Sequence, residues 1–457
     1  MRNNVSRSDT VTGPAVGPAV APAVGPAAGA AIASIIAPAA IQAAAPTAAP
    51  AARAMASSPP TRTALLTAAL VTVLAGCAAD PQTGVAVSPG AAVPSPSAPS
   101  ATVSSPSSPS VAPPSPGAVM SPRASGTPGG TPDLGAAQEV ARGIEVPWGL
   151  AFLPEGDALV AERDSGRVLR VPARGGQARE VYRVPGVAAG GEGGLLGLAV
   201  SPDYAADRYV YAYLTTDSDN RIVRFRLDDR TPEVLFDGIA KAAIHNGGRI
   251  AFGPDGMLYA GTGDAGEGDS SQDPARPNGK ILRLTPGGDP APGNPTSGSP
   301  VYSLGHRNVQ GLAWDGRGRL FATEFGQNRL DEVNLIRPGR NYGWPEVEGG
   351  GDTRGGRFTD PLVTWSTSEA SPSGAAIAGD TLYVAALRGE RLWAVPLRDG
   401  ATGEPRAELT GRYGRLRTVA VAPDGALWLT TSNTDGRGDV RDGDDRILRY
   451  PPRRDAD

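Results

Sequence analysis

The sequence predicts an all-β, six-bladed β-propeller preceded by a disordered N-terminal region. Three observations carry this prediction. First, one pattern recurs six times between residues 135 and 457: "GLAFLPEGDALVAERDSGRVLRV" from Gly149, "GLAVSPDYAADRYVYAYLTT" from Gly197, "GRIAFGPDGMLYAGTGD" from Gly248, "GLAWDGRGRLFATEFG" from Gly311, "GAAIAGDTLYVAALRGERLWAVPL" from Gly374 and "TVAVAPDGALWLTTSN" from Thr418. Second, the aligned alanines Ala151, Ala199, Ala251, Ala313, Ala376 and Ala420 recur irregularly at roughly 50 residues, a blade-sized interval. Third, no stretch after residue 134 sustains apolar residues at i, i+3, i+4 and i+7, which removes a helical alternative.

The segments before the repeats differ in kind. Residues 1–54 are nearly all Ala, Pro, Gly and Val, too poor in large apolar groups to offset the entropy of ordering. They read as a low-complexity stretch from a mis-called upstream start, with Met55 as the initiator. Residues 55–77 read as a lipoprotein signal peptide. Arg62 precedes an apolar run from Ala64 to Ala75, too short to span a bilayer. The run ends in "LAGC", which resembles the bacterial lipoprotein box and marks Cys77 for lipidation. The chain has 1 cysteine, so the domain beyond it carries no disulfide. Residues 78–134 form a Ser/Pro-rich linker. Together these segments predict an exported domain held by lipid on the extracytoplasmic face of the cell membrane.

Residues 135–457 supply the propeller. Each unit reads as a small residue, a short apolar strand, a Pro-Asp-Gly or Gly-Asp turn and a second strand. Several continue into a third, "RVLRV", "RIVRF", "KILRL" or "RILRY". Proline pre-sets φ at the first turn position and glycine accepts positive φ. The stretch "AAQEVARGIEV", ahead of the first unit, is expected to donate a strand to the last and close the ring, since an open ring would expose strand edges. Long Gly-, Asp- and Pro-rich segments follow the third and fourth units. Such loops gather on one face, where the site is sought.

Net charge is −4 with both signs interspersed, which argues against nucleic-acid binding. There are 2 histidines, His245 in "AIHNGGRIAFGPDG" and His306 in "LGHRNVQGL". The loop "GTGDAGEGDSSQD", residues 261–273, lacks the spacing of an EF-hand and reads as a face loop lining a substrate cleft through Asp264.

The segments "GEGGLLGLAVSPDY", "HNGGRIAFGPDG", "LGHRNVQGLAW", "DEVNLIRPGRNYGWP" and "GRLRTVAVAPDG" occur in one order over residues 140–450. In that order the chain resembles the soluble pyrroloquinoline quinone (PQQ) dependent glucose dehydrogenases and aldose sugar dehydrogenases, the glucose/sorbosone dehydrogenase family. The resemblance implies oxidation of aldoses at C1 to lactones, with PQQ and Ca²⁺ as cofactors. It implies that His245 is the general base, a role suited to a side chain that titrates near neutrality. Arg307, Asn308, Arg415 and Arg417 match cofactor-contacting positions, and Arg388 stands where the family usually has lysine. Guanidinium groups suit the three carboxylates of PQQ. The carbonyls of Gly326 and Gln327 match the ligands of a Ca²⁺ that bridges to the cofactor. Glu332, the Tyr342 carbonyl and Asp352 match a second, structural Ca²⁺ site. Two positions depart from the pattern: Glu192 replaces a sugar-contacting glutamine, and Ile244 replaces an aspartate that orients the imidazole, so His245 either needs another partner or is a weaker base. The short loops place the chain nearer the aldose branch.

Other residues are expected to be structural. His306 reads as a buried hydrogen-bonding residue and Asp331 as a loop anchor. Trp314, Trp344, Trp393 and Trp428 read as blade core, and Trp148 as a rim residue. Two other function classes stay open from the sequence: a calcium-dependent lactone hydrolase, and a propeller that only binds carbohydrate or protein. The sequence names neither the electron acceptor nor the oligomeric state.

Overall fold

The computed structural model describes residues 130–399 and 401–453. The low-complexity start, the signal segment with Cys77 and nearly all of the linker lie outside the described residues. The rest is the expected propeller, six antiparallel sheets, five of them laid down as consecutive strands in chain order and the last completed by the first described strand. The first strands of the blades are Pro147–Phe152, Leu195–Val200, Ile250–Phe252, Val309–Trp314, Pro372–Ala378 and Leu416–Val421. These are the alanine-bearing segments of the six repeats, and they line the axis.

Neighbouring inner strands touch through glycines. A Cβ on Gly149 would strike the backbone of Leu196 and Leu198, and one on Gly197 would strike Gly248 and Ile250. At the seam between the last and first blades, Thr418 Oγ1 donates to the Trp148 carbonyl at 2.6 Å. The ring also closes at its outer edge. Strand Gln138–Arg142 pairs antiparallel with Arg446–Tyr450, matching Gln138 to Arg449 and Arg142 to Arg446. The first strand of the chain thereby completes the last blade, as "AAQEVARGIEV" predicted.

The core is six separate seams, one between each pair of adjacent blades, because successive side chains of a strand point to opposite faces. In Ala158–Glu162, Leu159 and Ala161 face the second blade, while Ala158 and Val160 face the last. Both faces are covered, so the strands read as apolar runs rather than alternating ones. Aromatic pairs fill the seams: Tyr182 stacks on Phe225 at 4.2 Å and Trp365 on Trp393 at 5.0 Å. Trp393 and Trp428 are buried as expected, and Trp314 packs partly buried in its seam.

Antiparallel pairing puts the start of a blade's first strand beside the end of its second. One face of the ring therefore collects the residues before each inner strand and the turns between second and third strands. Glu192, His245, Arg307 and Arg415 occupy the first kind of position. Arg163, Asp264, Gly326, Arg388 and Asp435 occupy the second.

Candidate active site

His245 directly follows two exposed residues, Ala243 and Ile244, and stands five before an inner strand. Its backbone has φ of +57°, between neighbours that lead into Gly247 and Gly248, both also at positive φ. A non-glycine residue held there is disfavoured by about 1 kcal/mol or more, so other contacts must fix it. They are visible. Its amide donates to Glu192 Oε2 at 2.9 Å. Its carbonyl sits where a Cβ of residue 263 would be, so only glycine fits there.

The imidazole finds a partner that Ile244 does not supply. His245 Nδ1 lies 2.6 Å from Asp264 Oδ1. Asp264 also accepts the Gly266 amide at 2.7 Å and, through Oδ2, Trp344 Nε1 at 2.8 Å. Burial by itself raises the Asp264 carboxyl, but the bonds from His245, Gly266 and Trp344 outweigh it and hold the group below the ordinary range. An ionised Asp264 accepts a hydrogen bond from Nδ1–H and so leaves Nε2 as the basic nitrogen. His245 lines a cleft of about 830 Å³ with Ile244, Asp264, Asp273, Arg307 and Trp344. The face loop 261–273 forms one wall. Lys280 docks that wall, its ammonium donating to the Ser270, Ser271 and Asn278 carbonyls at 2.8, 3.0 and 2.7 Å.

Beside this wall, and bonded to it through the Asp264 amide and the Arg307 carbonyl at 2.9 Å, is the segment "GHRN". His306 is fully buried between Ser303 and Glu324, with Nδ1 2.9 Å from Glu324 Oε1 and its ring stacked on Tyr342, so the structural reading holds. Glu324 also accepts the Arg307 amide at 2.8 Å. The Arg307 guanidinium lies in the cleft, 5.3 Å from the centre of the Trp344 ring, and donates to the Gly326 carbonyl at 2.7 Å. Asn308 Oδ1 accepts the Gly247 amide, tying this loop to the histidine's. Arg307 Nε and Asn308 Nδ2 are buried donors without a protein acceptor.

The loop after Gly326 has an unusual arrangement. Glu348 Oε1 accepts the amides of Gln327, Asn328, Arg329 and Leu330 at 2.8 to 3.1 Å. Asp331 accepts the Gly326 and Ser371 amides, which confirms it as a loop anchor. With its N–H groups turned to these two acids, the loop presents the Gly326 carbonyl to the cleft.

Arg415 and Arg417 reach the same mouth. Both bond Asp435 Oδ2, at 2.9 and 3.3 Å. Asp435 holds Arg437 through its amide, and Arg437 Nη1 pairs with Glu192 Oε1 at 3.0 Å. Glu192, already bonded to His245, thus links the histidine to the arginine group, and its charge bears on both Arg307 and Arg417. Burial comes first in raising the Asp435 carboxyl, and the two guanidiniums more than reverse it, leaving it low.

Several residues lie elsewhere than the sequence suggested. Trp148 is not at the rim: it is 1% exposed, beneath the guanidiniums of Arg249 and Arg417. Trp344 is not core, since it lines the cleft and holds Asp264. Arg388 is exposed on a turn at the correct face. Glu332 is buried, with Oε1 on the Gly349 amide and Oε2 on Asn334; burial, then repulsion from Glu324, pushes its carboxyl up to about 8. Asp352 is exposed and turned to Arg354. Among the described residues no three His, Cys, Asp or Glu side chains form a metal cage. Sequence reasoning missed Arg249, Glu348 and Asp435. The signal for Asp435 was its place one strand beyond the arginines, in "TSNTDGRGD".

Comparison with known proteins places these features in a group. Residues 144–447 match the family model described as Glucose / Sorbosone dehydrogenase. The structure of the PQQ-bound form of the aldose sugar dehydrogenase from Streptomyces coelicolor is 57% identical, covers 70% of this chain and 99% of its own, and superposes with a TM-score of 0.67. The aldose sugar dehydrogenase YliI of Escherichia coli is 29% identical over 331 residues, 64% of this chain and 89% of its own. Quinoprotein glucose dehydrogenase B of Acinetobacter calcoaceticus is 33% identical over 251 residues, 46% of this chain and 52% of its own, so the chain spans about half of that relative.

Proposed function

The chain belongs to the glucose/sorbosone dehydrogenase family, and we propose that it is a PQQ- and Ca²⁺-dependent dehydrogenase that oxidises aldose sugars at C1 to lactones. The observation that carries this reading is the His245–Asp264 pair, set in one cleft with Arg307, whose Nε, like the Nδ2 of neighbouring Asn308, is a buried donor that no protein acceptor uses. The donor set fits the cofactor. Arg307, Asn308, Arg415 and Arg417 offer the cations and amide that a tricarboxylate requires. The Gly326 and Gln327 carbonyls are the hard oxygen ligands that calcium favours. A second calcium would rest on buried Glu332 and the Tyr342 carbonyl, and would require Asp352 to turn from Arg354 to join them.

When bound, PQQ supplies the two-electron acceptor for hydride leaving C1. The chain's own residues do the rest. Asp264 holds Nδ1–H, and so fixes the tautomer and orientation of His245 and supports the positive charge that develops on the ring. His245 Nε2 takes the proton of the anomeric hydroxyl. Trp344 and the Gly266 amide keep Asp264 from rotating away. Glu192 and Asp264 border the position where the sugar would lie. Such base assistance contributes about 10²–10⁴ in rate.

Reconstitution tests the reading. The purified protein is loaded with PQQ and Ca²⁺ and assayed for dye reduction over a panel of aldoses. Sugar-dependent reduction is expected. Failure to take up PQQ would favour a lactone hydrolase or a binding propeller, although arginines rather than carboxylates crowd this axis. Export and lipidation at Cys77 are part of the same proposal. Mass measurement of the membrane-extracted protein checks them, and a mature chain retaining residues before Cys77 would refute them.

A further inference from the structure

The centre of the ring holds a guanidinium that none of the assigned roles uses. Arg249 leads into the inner strand of the third blade. Its Nε donates to the Gln310 carbonyl of the fourth blade at 2.7 Å. Its Nη2 donates to Thr418 Oγ1 of the sixth at 3.0 Å. Its guanidinium lies 4.3 Å from the centre of the Trp148 ring of the first. A side chain that starts on the third blade and meets the fourth, sixth and first must cross the propeller axis.

Arg417 enters from the other side. Its Nη1 donates to Gln310 Oε1 at 3.1 Å, and its guanidinium lies 5.9 Å from the Trp148 ring centre. The two arginines therefore share Trp148 and Gln310. Their charges are not equally balanced. Arg417 and Arg415 share Asp435, and Arg163 bonds Asp164. Arg249, 8% exposed, bonds only neutral acceptors among the described residues. Burial, followed by repulsion from Arg417, depresses it to about 9.

A buried cation without a counter-charge is costly, and a protein interior rarely keeps one without use. Here it sits next to an arginine assigned to an anionic ligand. On that basis, and resting on the PQQ reading above, we propose that Arg249 is the electrostatic floor of the cofactor site: its unneutralised charge, placed on the axis and backed by Trp148, strengthens binding of the tricarboxylate. Stacking on the indole keeps the guanidinium in place. The two neutral hydrogen bonds satisfy donors without cancelling the charge. The same placement predicts an opposition between stability and binding. The folded apo protein gains no ion pair from Arg249, whereas the loaded protein does.

Apo protein is titrated with PQQ at fixed Ca²⁺, with binding followed by quenching of tryptophan fluorescence, and the apo Tm is measured separately. Arg249→Met, of similar length and uncharged, is expected to raise Kd about 10–100-fold while leaving the apo Tm unchanged or higher. Arg249→Lys keeps the charge and is expected to stay much closer to the parent than Arg249→Met. A parent that binds PQQ alongside an Arg249→Met that binds equally well overturns the inference and leaves the functional reading standing. So does an Arg249→Lys that loses as much affinity as Arg249→Met, because geometry rather than charge would then be at work. A lowered apo Tm in Arg249→Met with unchanged Kd assigns the residue a purely structural role and overturns it too. A parent that takes up no PQQ overturns the functional reading and this inference with it.

Discussion

At the scale of single residues, the site depends on a carboxylate held ionised behind an imidazole. His245→Ala is expected to retain PQQ, since no cofactor-facing arginine is bonded to the ring, and to lose about 10²–10⁴ in kcat. Undiminished turnover in the reconstituted assay would remove His245 from the mechanism. Asp264→Asn should cost roughly 10²-fold or more, because the amide no longer dictates which nitrogen carries the proton. Asp435 gives a separate prediction in pH. Its folded carboxyl lies below 3.8, its ordinary value, so its contribution to stability is fully present above that value and is lost as pH falls through the folded one. Asp435→Asn leaves Arg415 and Arg417 buried without their counter-charge and should destabilise by about 3–5 kcal/mol at pH 7. As pH falls below 3.8 and on through the lower folded value the parent loses the same charge, and the denaturation curves of the two should draw together and converge below that folded value. Curves that stay parallel down to acid would show that the arginines do not depend on Asp435.

At the scale of strands and turns, much was legible and some was not. The repeats were readable because each blade needs the same small residue, apolar strand and tight turn. The small residue has its reason in the close approach of inner strands. Gly197→Ala would push a methyl group into the Gly248 carbonyl and Ile250, and should destabilise by about 1–3 kcal/mol through overpacking, measured as a fall in denaturation midpoint at unchanged m-value. A neutral result would mean that the seam between the second and third blades can open freely. The order of motifs pointed to His245, Arg307, Arg415 and Arg417; His245 and Arg307 line one cleft, and Asp435, Arg437 and Glu192 connect the other two to His245. What the order could not convey is contact across blades. Asp264 was readable as a cleft residue, but its bond to His245 depends on two strand ends meeting, 19 residues apart in sequence. Trp148 and Trp344 were exchanged in expectation because the apolar pattern around a tryptophan does not tell an axis from a rim. Trp148 follows a proline at a strand start, as a rim residue would, yet its strand is innermost. Arg249 gave no local signal, since its meaning lies in the three other blades it reaches.

For the molecule as a whole, the site exists only if the ring is closed. The cleft draws on the third and fourth blades, the arginine cluster on the sixth, and Glu192 on the second, so opening any seam would misplace groups on both sides of it. Closure draws on the Thr418–Trp148 bond near the axis, the Val146 amide on Thr434 Oγ1, and strand Gln138–Arg142 at the edge. The outer strand also buries Val140, Ala141 and Ile144 follows it into the same seam. A chain shortened to begin at Gly143 would lose the pairing with Arg446–Tyr450 and expose that strand's backbone as an edge. Burial of Val140 and Ala141 would go with it, on the order of 1–3 kcal/mol for the two side chains, in addition to the ladder hydrogen bonds. Such a chain should melt well below one beginning at Gly130 and should self-associate through the bare edge, seen as a concentration-dependent mass in sedimentation. The loss should spread beyond the seam. Arg417 and Thr418 lie on the inner strand of the same blade, so cofactor affinity should fall together with stability although no residue of the site has been removed. If the shortened chain stays monomeric and binds PQQ as tightly as the longer one, the first strand is an accessory to the last blade, and the axis contacts alone hold the ring.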